Sequence, residues 1–310
     1  MSTAESDISW PVLRRIVQNW AGTSAELVEV RPLHGGCINT TLCLVCSDGR
    51  RAVIKISQHR VDHSHSREAY QLNLLRTAGL PVPQVYAWSL GTLDDPFSYA
   101  LIEFMPGITL AEAKKRCTAD EFEQIQQHLA ELIAHMHTRT ADGYMRVMEN
   151  GAANFSWPGF YRDIYDVIWK EASRHEHLPK RIRKQIDRVH DRLDRLISHA
   201  DRPRLLHWDM WSTNILCAPN GEGQWHISAV LDPNCKFAHA EAEIAYMELF
   251  HTVTPAFMKC YQHHFRLPSE YHQMRKTIYQ LYPMINHLNL FGQEYLKPVV
   301  ALAEKTTAWV

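Results

Sequence analysis

Residues 205–216 read LLHWDMWSTNIL, and this stretch decides how the rest of the chain is interpreted. Its polar skeleton is H-x-D-x4-N, formed by His207, Asp209 and Asn214 between apolar flanks that anchor the segment to a core. An aspartate in such a loop orients an attacking hydroxyl and accepts its proton, while an asparagine one tight loop later supplies an amide oxygen to a metal ion. The pattern therefore predicts a loop built for chemistry on a hydroxyl group.

A second candidate metal ligand is Asp232, which ends the apolar stretch AVLDP at residues 229–233. The turn sequence NGEG at residues 220–223 predicts a hairpin that returns Asp232 beside Asn214. Transfer of a phosphoryl group from ATP needs such an anionic ligand to hold Mg²⁺ on the β- and γ-phosphates. On its own, Asp232 would equally fit a strand-end aspartate that caps the next turn. With the loop as context, the predicted roles are Asp209 as catalytic base, His207 as the residue that orients the loop, and Asn214 and Asp232 as Mg²⁺ ligands.

A lysine on a predicted strand and a glutamate on a predicted helix extend this pattern upstream. Lys55 lies in AVIKI at residues 52–56, the position of a lysine that contacts the α- and β-phosphates of ATP. Glu68, near the start of the next helix, would keep that lysine charged and aimed. A surface lysine and a glutamate that favours the helix dipole are the alternatives. The order and separation of the two residues favour the nucleotide-binding interpretation.

Three further features fit the nucleotide. Gly35 and Gly36 lie between two predicted strands, where glycines let backbone N–H groups approach phosphates, although a full G-x-G-x-x-G is absent. The stretch LIEFMPG at residues 101–107 ends the strand-rich region, so we expect the Glu103 carbonyl and the Met105 N–H to face the adenine edge. Cys37 is a candidate redox-sensitive thiol, with a buried strand-edge cysteine as the alternative.

The predicted elements change in type along the chain. After a short helix near Trp10–Trp20, the first third reads as strands with one inserted helix: Leu27–Leu33, Thr40–Cys46, Ala52–Ile56, helix Ser64–Ala78, Gln84–Ser89 and Tyr99–Phe104. The rest reads mainly as amphipathic helices: Thr118–His137, Trp157–Ser173, Lys180–His199 and the segment from Glu241 onward, with a strand-rich island at residues 205–232. The pattern predicts an α+β, protein-kinase-like fold of two lobes. Residues 1–105 form a small N-lobe with an antiparallel sheet plus one helix, and residues 106–310 form a larger, mainly helical C-lobe.

Composition excludes several classes of function. The formal net charge of -1 provides no excess of positive charge that would favour binding to nucleic acid or to an anionic membrane. No apolar run is long enough to cross a bilayer, and the N-terminus lacks the features of a secretory signal. Seven scattered cysteines read as reduced thiols, so we expect a cytoplasmic protein.

On these residues the chain resembles the aminoglycoside phosphotransferase/choline kinase superfamily, and within it the fructosamine (ketosamine) kinase-like branch. The resemblance runs from about residue 27 to beyond residue 290. The branch motif H-G-D-L-W-x-G-N is similar to residues 207–214, Trp211 included, and I-D-P is similar to residues 231–233. G-G-C-I is similar to residues 35–38, and R-E-A-D-L-A-M-x-E-L-F to AEAEIAYMELF at residues 240–250. The resemblance implies transfer of the ATP γ-phosphoryl group to an alcohol.

Three positions depart from the motifs of the branch. Trp208 and Thr213 stand where glycines are usual, and Glu243 replaces an aspartate. These changes bear on the substrate more than on the reaction. The candidate substrate contacts are Trp211, which would stack on a sugar face, Trp157 and Tyr161, for which core packing is the alternative, and Glu248, which would meet an amine or lie on a helix surface.

The sequence as a whole predicts an ATP- and Mg²⁺-dependent kinase acting on a hydroxyl of a small molecule, a sugar or sugar-amine of the ketosamine type. A phosphotransferase for aminoglycoside-type antibiotics or amino alcohols would share every motif. A nucleotide-binding pseudokinase is the alternative of another class, and Trp208 is its main support. A protein kinase is disfavoured, because Pro233 follows the metal aspartate where D-F-G would stand. We expect no nucleic-acid or membrane partner, and a monomer or homodimer.

Overall fold

The structure is a computed structural model that describes residues 9–33, 40–57, 63–91, 97–148, 152–198 and 201–310. The predictions for Gly35, Gly36 and Cys37 lie outside these residues. Within the chain, the contacts divide the residues into two units. The first is Met1–Gly107 with Ser228–Asp232, and the second is Ile108–Ile227 with Pro233–Val310.

The first unit is built on an antiparallel sheet of five strands. Its elements are α1 (Trp10–Ala21), β1 (Leu27–Pro32), β2 (Thr40–Cys46), β3 (Arg51–Ser57), α2 (Ser64–Thr77), β4 (Val85–Ser89) and β5 (Ser98–Glu103). The strand order is β1-β2-β3-β5-β4, and each neighbouring pair runs antiparallel. Each of these bounds lies within one residue of the predicted one.

The alternation of side chains in β3 sets up one half of the candidate site. Ile54 and Ile56 point into a buried cluster that includes Ile16 of α1. Because successive strand residues face opposite sides of a sheet, Lys55 between them points to the other face. The same two-residue period that buries the isoleucines therefore presents the lysine on the face away from α1.

The second unit is mainly helical with short strands. Its helices are α3 (Leu110–Arg116), α4 (Ala119–His137), α5 (Trp157–Ala172), α6 (Lys180–Asp191), α7 (Leu193–Leu196), α8 (Ala240–Leu249), α9 (Pro255–His264), α10 (Lys276–Phe291) and α11 (Leu296–Lys305). A π-helical turn at Tyr271–Arg275 precedes α10, and 3-10 turns follow at Gln293–Tyr295 and Thr306–Ala308. Its strands are β6 (Ile108–Thr109), β7 (Met145–Arg146), β8 (Arg204–Leu206), β9 (Ile215–Pro219) and β11 (Lys236–Ala238), while β10 (Trp225–Val230) begins in this unit and ends in the first.

The structure contains elements that the sequence prediction missed. Helix α3 begins with a capping box, in which Thr109 and Glu112 satisfy each other's backbone N–H groups. That T-x-x-E signal was present in the sequence. The predicted single helix over Lys180–His199 is divided, because the backbone at Arg192 (φ -110°, ψ 9°) leaves the helical range between α6 and α7. Strand β11 is only three residues long and pairs with both β7 and β8.

Trp157 and Tyr161 belong to the core of the second unit. Their exposed fractions are 2% and 1%, and their rings lie 5.2 Å apart. The Trp157 Nε1–H donates to the Tyr279 hydroxyl at 2.9 Å, which satisfies the indole inside an aromatic cluster. The interpretation of these residues as walls of the substrate site is therefore corrected to core packing, because neither presents a surface to a ligand.

Asp232 belongs to the first unit because its segment is tied there. The Val230 N–H donates to the Pro81 carbonyl at 2.7 Å, and the Ser228 hydroxyl donates to the Pro106 carbonyl at 3.0 Å. Sequence reasoning had placed the whole of residues 106–310 in one lobe. The difference arises because a short segment that is distant in sequence uses its backbone groups on partners in the first unit.

The five-stranded antiparallel sheet of the first unit and the helix-rich second unit confirm the predicted α+β class. In the described ranges, no helix combines the length and the apolar character needed to cross a bilayer. The fold thus supplies a sheet face that carries Lys55 and a helical unit that carries the H-x-D-x4-N loop.

Thr118 should measurably stabilise the second unit through its cap on α4. Its side chain accepts from the Glu121 N–H at 3.3 Å, and the Glu121 carboxylate accepts from the Thr118 N–H at 2.7 Å. We expect Thr118→Ala to lower the free energy of unfolding by about 1 kcal/mol, the usual effect of losing an N-cap. Thr138→Ala, an exposed threonine at the other end of α4, is the matched control. Equal losses for both variants in urea denaturation would contradict a capping role.

Candidate active site

The first unit brings together Lys55, Glu68 and Asp232. The Lys55 ammonium donates to Glu68 Oε1 at 2.5 Å and also to Asp232 Oδ1. The side chains of Lys55 and Glu68 are each 14% exposed, whereas that of Asp232 is 44% exposed. The structure therefore joins the strand lysine to the helix glutamate and, in addition, to the carboxylate predicted as a metal ligand.

Burial lowers the pKa of Lys55, but the charges of Glu68 and Asp232 outweigh that effect and raise the pKa above its usual value. The ammonium therefore stays protonated across the physiological range. A lysine held between two carboxylates is fixed in position as well as in charge. Asp232 itself has φ +56°, a left-handed conformation that aspartate tolerates better than most residues.

The second unit holds residues 207–214, the predicted catalytic loop, in a set of local hydrogen bonds. Asn214 Nδ2 donates to the Asp209 carbonyl at 3.0 Å and to Asp209 Oδ2 at 3.1 Å. The Asp209 N–H donates to His207 Nδ1 at 3.3 Å, and the Asn214 N–H donates to the Trp211 carbonyl at 3.0 Å. Asp209 and Asn214 are thus adjacent, and the buried His207 accepts from the backbone of the loop.

Trp208 adopts a backbone conformation that favours glycine. Its φ is +69°, in the left-handed region, where a bulky side chain is strained. The Trp208 N–H donates to Glu243 Oε1 at 2.6 Å. The indole lies over the Lys236 ammonium, 4.6 Å from the ring centroid, and meets the Tyr282 ring edge-on at 6.0 Å. These contacts hold the tryptophan in a conformation that it would not adopt by itself.

A buried polar chain extends from Trp208 into the core. Glu243 Oε2 lies 2.9 Å from His137 Nε2, and His137 Nδ1 lies 2.8 Å from the Tyr261 hydroxyl. Glu243, His137 and Tyr261 are all essentially inaccessible to solvent. A buried carboxylate is tolerated when its oxygens are fully used by donors. Glu243 therefore links the catalytic loop to α4 and α9, a role that sequence reasoning did not assign to it.

Tyr246 is a functional candidate that sequence reasoning missed. Its hydroxyl donates to Asp209 Oδ1 at 2.6 Å, so both oxygens of the predicted base carry a donor. The only sequence signal was indirect: Tyr246 follows Glu243 by three positions on a helix, which places the two side chains on one face of α8. The stretch 240–250 had been singled out as a motif, but nothing in it indicated which residue meets Asp209.

From Tyr246 a row of aromatic rings runs toward the surface of the second unit. The ring centroids of Tyr246 and Phe250 are 4.7 Å apart, those of Phe250 and His287 are 4.8 Å apart, and those of His287 and Phe291 are 5.4 Å apart. Phe291 is 44% exposed. Burial lowers the pKa of His287, so the row is uncharged at neutral pH. We call these four residues the aromatic row.

Of the other residues predicted to contact substrate or nucleotide, some are accessible to a ligand and some are hydrogen-bonded within the protein. Trp211, 37% exposed, is available to a ligand. The Glu248 carboxylate accepts from the Tyr271 hydroxyl at 2.5 Å and from the Lys276 ammonium at 2.7 Å, so the expected contact with a substrate amine is replaced by internal bonds. Glu103 ends β5, and its side chain accepts from the Gln84 N–H at 3.0 Å. Met105 follows in the loop before β6.

The residues predicted to bind Mg²⁺ have suitable donor chemistry. Asn214 turns its Nδ2 toward Asp209, which leaves the amide oxygen as the atom that can meet a cation. Asp232 adds a half-exposed carboxylate. Across the described part of the chain, no group of three or more His, Cys, Asp or Glu residues could hold a metal ion without other ligands. Mg²⁺ in phosphoryl transfer typically takes few protein ligands and completes its coordination with phosphate oxygens and water.

Comparison with known proteins identifies the relatives of this chain. The family model "Fructosamine kinase" matches residues 9–308. A probable ketoamine kinase of Vibrio cholerae is 25% identical over 312 residues, covering 97% of this chain and 100% of that protein. A probable ketoamine kinase of Enterococcus faecium is 29% identical and covers 89% of this chain and 94% of that protein.

Solved structures share the fold. A protein of Thermobifida fusca, provisionally named fructosamine-3-kinase, superposes with a TM-score of 0.76 at 21% identity, over 96% of this chain and 98% of that one. A variant of aminoglycoside phosphotransferase APH(4)-Ia in complex with AMP-PNP and hygromycin B gives a TM-score of 0.68 at 16% identity, over 95% and 99%. The predicted kinase-like fold and the predicted resemblance are both confirmed.

The left-handed backbone at Trp208 leads to a sharp expectation for two substitutions. Trp208→Gly and Trp208→Ala both remove the indole, but only glycine also removes the strain of a Cβ at positive φ. We expect the glycine variant to be more stable than the alanine variant by about 1 kcal/mol in chemical denaturation. An alanine variant as stable as the glycine variant would show that the backbone at position 208 is not strained.

Proposed function

The chain belongs to the fructosamine kinase family, and on that premise we propose that it transfers the γ-phosphoryl group of ATP to a hydroxyl of a ketoamine, a sugar joined to an amine. The observation that carries the proposal is the arrangement around Asp209. This carboxylate lies in the H-x-D-x4-N loop with Asn214 on one oxygen and Tyr246 on the other. It is thereby held in one orientation, as a residue that must align an attacking hydroxyl requires.

Asp209 acts on the acceptor. Its carboxylate aligns the acceptor hydroxyl, whose oxygen forms a bond to the γ-phosphorus as the bond to the β–γ bridging oxygen breaks and ADP leaves. The acceptor proton passes to Asp209 late in this step. His207 and Glu243 position the loop through its backbone, the first at the Asp209 N–H and the second at the Trp208 N–H.

The residues of the first unit act on the nucleotide. Lys55 binds the α- and β-phosphates, and Glu68 keeps its ammonium aimed. Gly35 and Gly36 offer backbone N–H groups to the phosphates, and the backbone at Glu103 and Met105 binds adenine. Asn214 and Asp232 would hold Mg²⁺, which when bound neutralises charge on the phosphates. We place the reaction in the cytoplasm, since the cysteines that the structure describes are free thiols.

Aromatic surface near the base favours a sugar as the acceptor. Trp211, two residues from Asp209, exposes 37% of its surface, and the aromatic row begins at the base itself. Sugars present C–H groups on their faces that pack against aromatic rings, while their hydroxyls need a nearby acceptor such as a carboxylate.

Asp209→Asn should abolish most of the turnover. An amide cannot take a proton from the acceptor, so we expect kcat to fall by about 10²–10⁴-fold while the Kd for ATP stays within about twofold. Product formation is measured with ATP, Mg²⁺ and the ketoamine fructosyl-glycine, with free fructose, an aminoglycoside and an amino alcohol alongside. Asp142→Asn, which changes an exposed aspartate of the same unit, is the matched control.

Each result of this screen separates one function from another. Turnover of fructosyl-glycine that Asp209→Asn abolishes supports the proposal. Turnover of another acceptor alone would replace the ketoamine with that class. ATP binding without turnover of any acceptor would support a pseudokinase. Turnover that survives Asp209→Asn would show that another group is the base.

Trp211→Ala tests the sugar-binding surface. Loss of a stacked ring should raise KM for fructosyl-glycine roughly three- to tenfold and leave KM for ATP unchanged, because a stacking contact contributes about 0.5–1.5 kcal/mol. Trp88→Ala serves as a control, since Trp88 is a similarly exposed tryptophan of the first unit. A parallel rise in KM for ATP would indicate a disturbed loop rather than a lost sugar contact.

A further inference from the structure

The Tyr246 hydroxyl bonds the Asp209 carboxylate oxygen that Asn214 leaves open. Asp209 Oδ2 accepts from Asn214 Nδ2 at 3.1 Å, and Asp209 Oδ1 accepts from the Tyr246 hydroxyl at 2.6 Å. A hydroxyl that donates to the base at this distance reproduces the contact that an alcohol makes before phosphoryl transfer. Tyr246 thus presents to Asp209 the same chemical group as the substrate.

Tyr246 remains a proton donor under all conditions relevant to turnover. Burial raises the pKa of its hydroxyl, and the charge of Asp209 raises it further. A hydroxyl that donates to a carboxylate forms a short, charge-assisted bond, and 2.6 Å lies within the range for such a bond. The Tyr246 hydroxyl is therefore protonated and able to donate to Asp209 whenever that oxygen has no other donor.

The side chain is held in place by its helix. Three residues earlier on α8, Glu243 accepts from the Trp208 N–H at 2.6 Å and is anchored in turn by His137 at 2.9 Å. The Tyr246 ring packs on Phe250, with centroids 4.7 Å apart. Helix α8 therefore forms hydrogen bonds to the loop at two adjacent residues, to the backbone of Trp208 and to the carboxylate of Asp209.

We propose that Tyr246 is a positioning residue that takes the place of the acceptor hydroxyl on Asp209 between turnovers and so keeps water from being activated there. The proposal rests on the assignment of Asp209 as the base. When an acceptor binds, its hydroxyl replaces the tyrosine hydroxyl on Oδ1, while Asn214 continues to hold Oδ2 and so keeps the carboxylate oriented. Because Tyr246 is fixed by α8, it returns when the product leaves.

The reaction that Tyr246 suppresses is hydrolysis of ATP. Water bound to Asp209 Oδ1 would form an oxygen–phosphorus bond at the γ-phosphorus, while the bond to the β–γ bridging oxygen breaks and ADP leaves. One water proton would pass to Asp209 and then to solvent, and the products would be ADP and inorganic phosphate. The chemistry differs from the kinase reaction only in the identity of the attacking oxygen.

Tyr246→Phe tests the proposal, since it removes the hydroxyl and keeps the ring. Two rates are measured on the full chain: release of inorganic phosphate from MgATP without acceptor, and formation of phosphorylated fructosyl-glycine. We expect the ratio of hydrolysis to transfer to rise at least about tenfold, the change expected from losing a hydrogen bond to a charged group. A ratio is independent of the fraction of folded protein, so a loss of stability does not imitate this result.

Tyr279→Phe is the matched control. It removes a buried tyrosine hydroxyl of the same unit, one that bonds Trp157 Nε1 at 2.9 Å and not Asp209. The proposal requires an unchanged ratio for this variant. An unchanged ratio in Tyr246→Phe, or an equal rise in both variants, would overturn it.

Failure of the proposed substrate is distinguishable from failure of this inference. If the unaltered chain does not phosphorylate fructosyl-glycine, the ketoamine proposal fails, and the acceptor-free rate alone decides the role of Tyr246. A rise of at least about tenfold in that rate on Tyr246→Phe still supports it. An unchanged or lower rate then overturns it.

Discussion

The left-handed backbone at Trp208, held by a buried carboxylate, is the constraint on which the catalytic loop depends. A φ of +69° turns the chain sharply between His207 and Asp209, and the Glu243 carboxylate fixes the turn by accepting the Trp208 N–H. Without that bond, a tryptophan would relax toward an ordinary conformation and carry the Asp209 carboxylate with it. The indole is retained by Lys236 and Tyr282, so packing and hydrogen bonding act together on one residue.

The same helix that stabilises the turn also contacts Asp209. Glu243 and Tyr246 lie three residues apart on α8 and therefore share a face of the helix. One holds the loop backbone and the other holds the Asp209 side chain. His137 of α4 and Tyr261 of α9 extend this chain of hydrogen bonds. The Glu243 carboxylate, which belongs to α8, is therefore held in place by contacts among three helices. The Asp209 side chain is thus positioned by helix packing as well as by bonds within its own loop.

The charges of the first unit follow a different principle. Lys55 would be disfavoured in its charged form by burial alone, and the carboxylates of Glu68 and Asp232 reverse that effect. Glu68 is held nearly out of solvent, whereas Asp232 is half-exposed at the end of β10. The cluster thus combines a fixed ammonium with one carboxylate that remains accessible to a ligand.

Much of the fold and of the site was predictable from local pattern. The strands of the first unit and the long helices α4 and α5 were predictable from hydrophobic periodicity. The spacing of apolar residues within a short stretch of chain indicates both the type of element and the face that it buries. The adjacency of Asp209 and Asn214 follows from their spacing in one loop, and the pairing of Lys55 with Glu68 from their order. Family membership followed from the same residues. In contrast, the three-residue strand β11 is too short to show a recognisable alternation of apolar residues. Helix α3 was not predicted, although the T-x-x-E signal of its capping box is present in the sequence.

The sequence by itself determined the reaction class, the family and the α+β fold, since each depends on residues close together in the chain or on their order. Only the tertiary structure decided that Trp157 and Tyr161 are core, that Glu248 is already bonded within the protein and that Tyr246 meets Asp209. Those outcomes depend on which helix faces meet. An aromatic or acidic residue on an amphipathic helix looks the same in sequence whether its face packs inward or borders the catalytic loop, and long-range packing alone makes the choice.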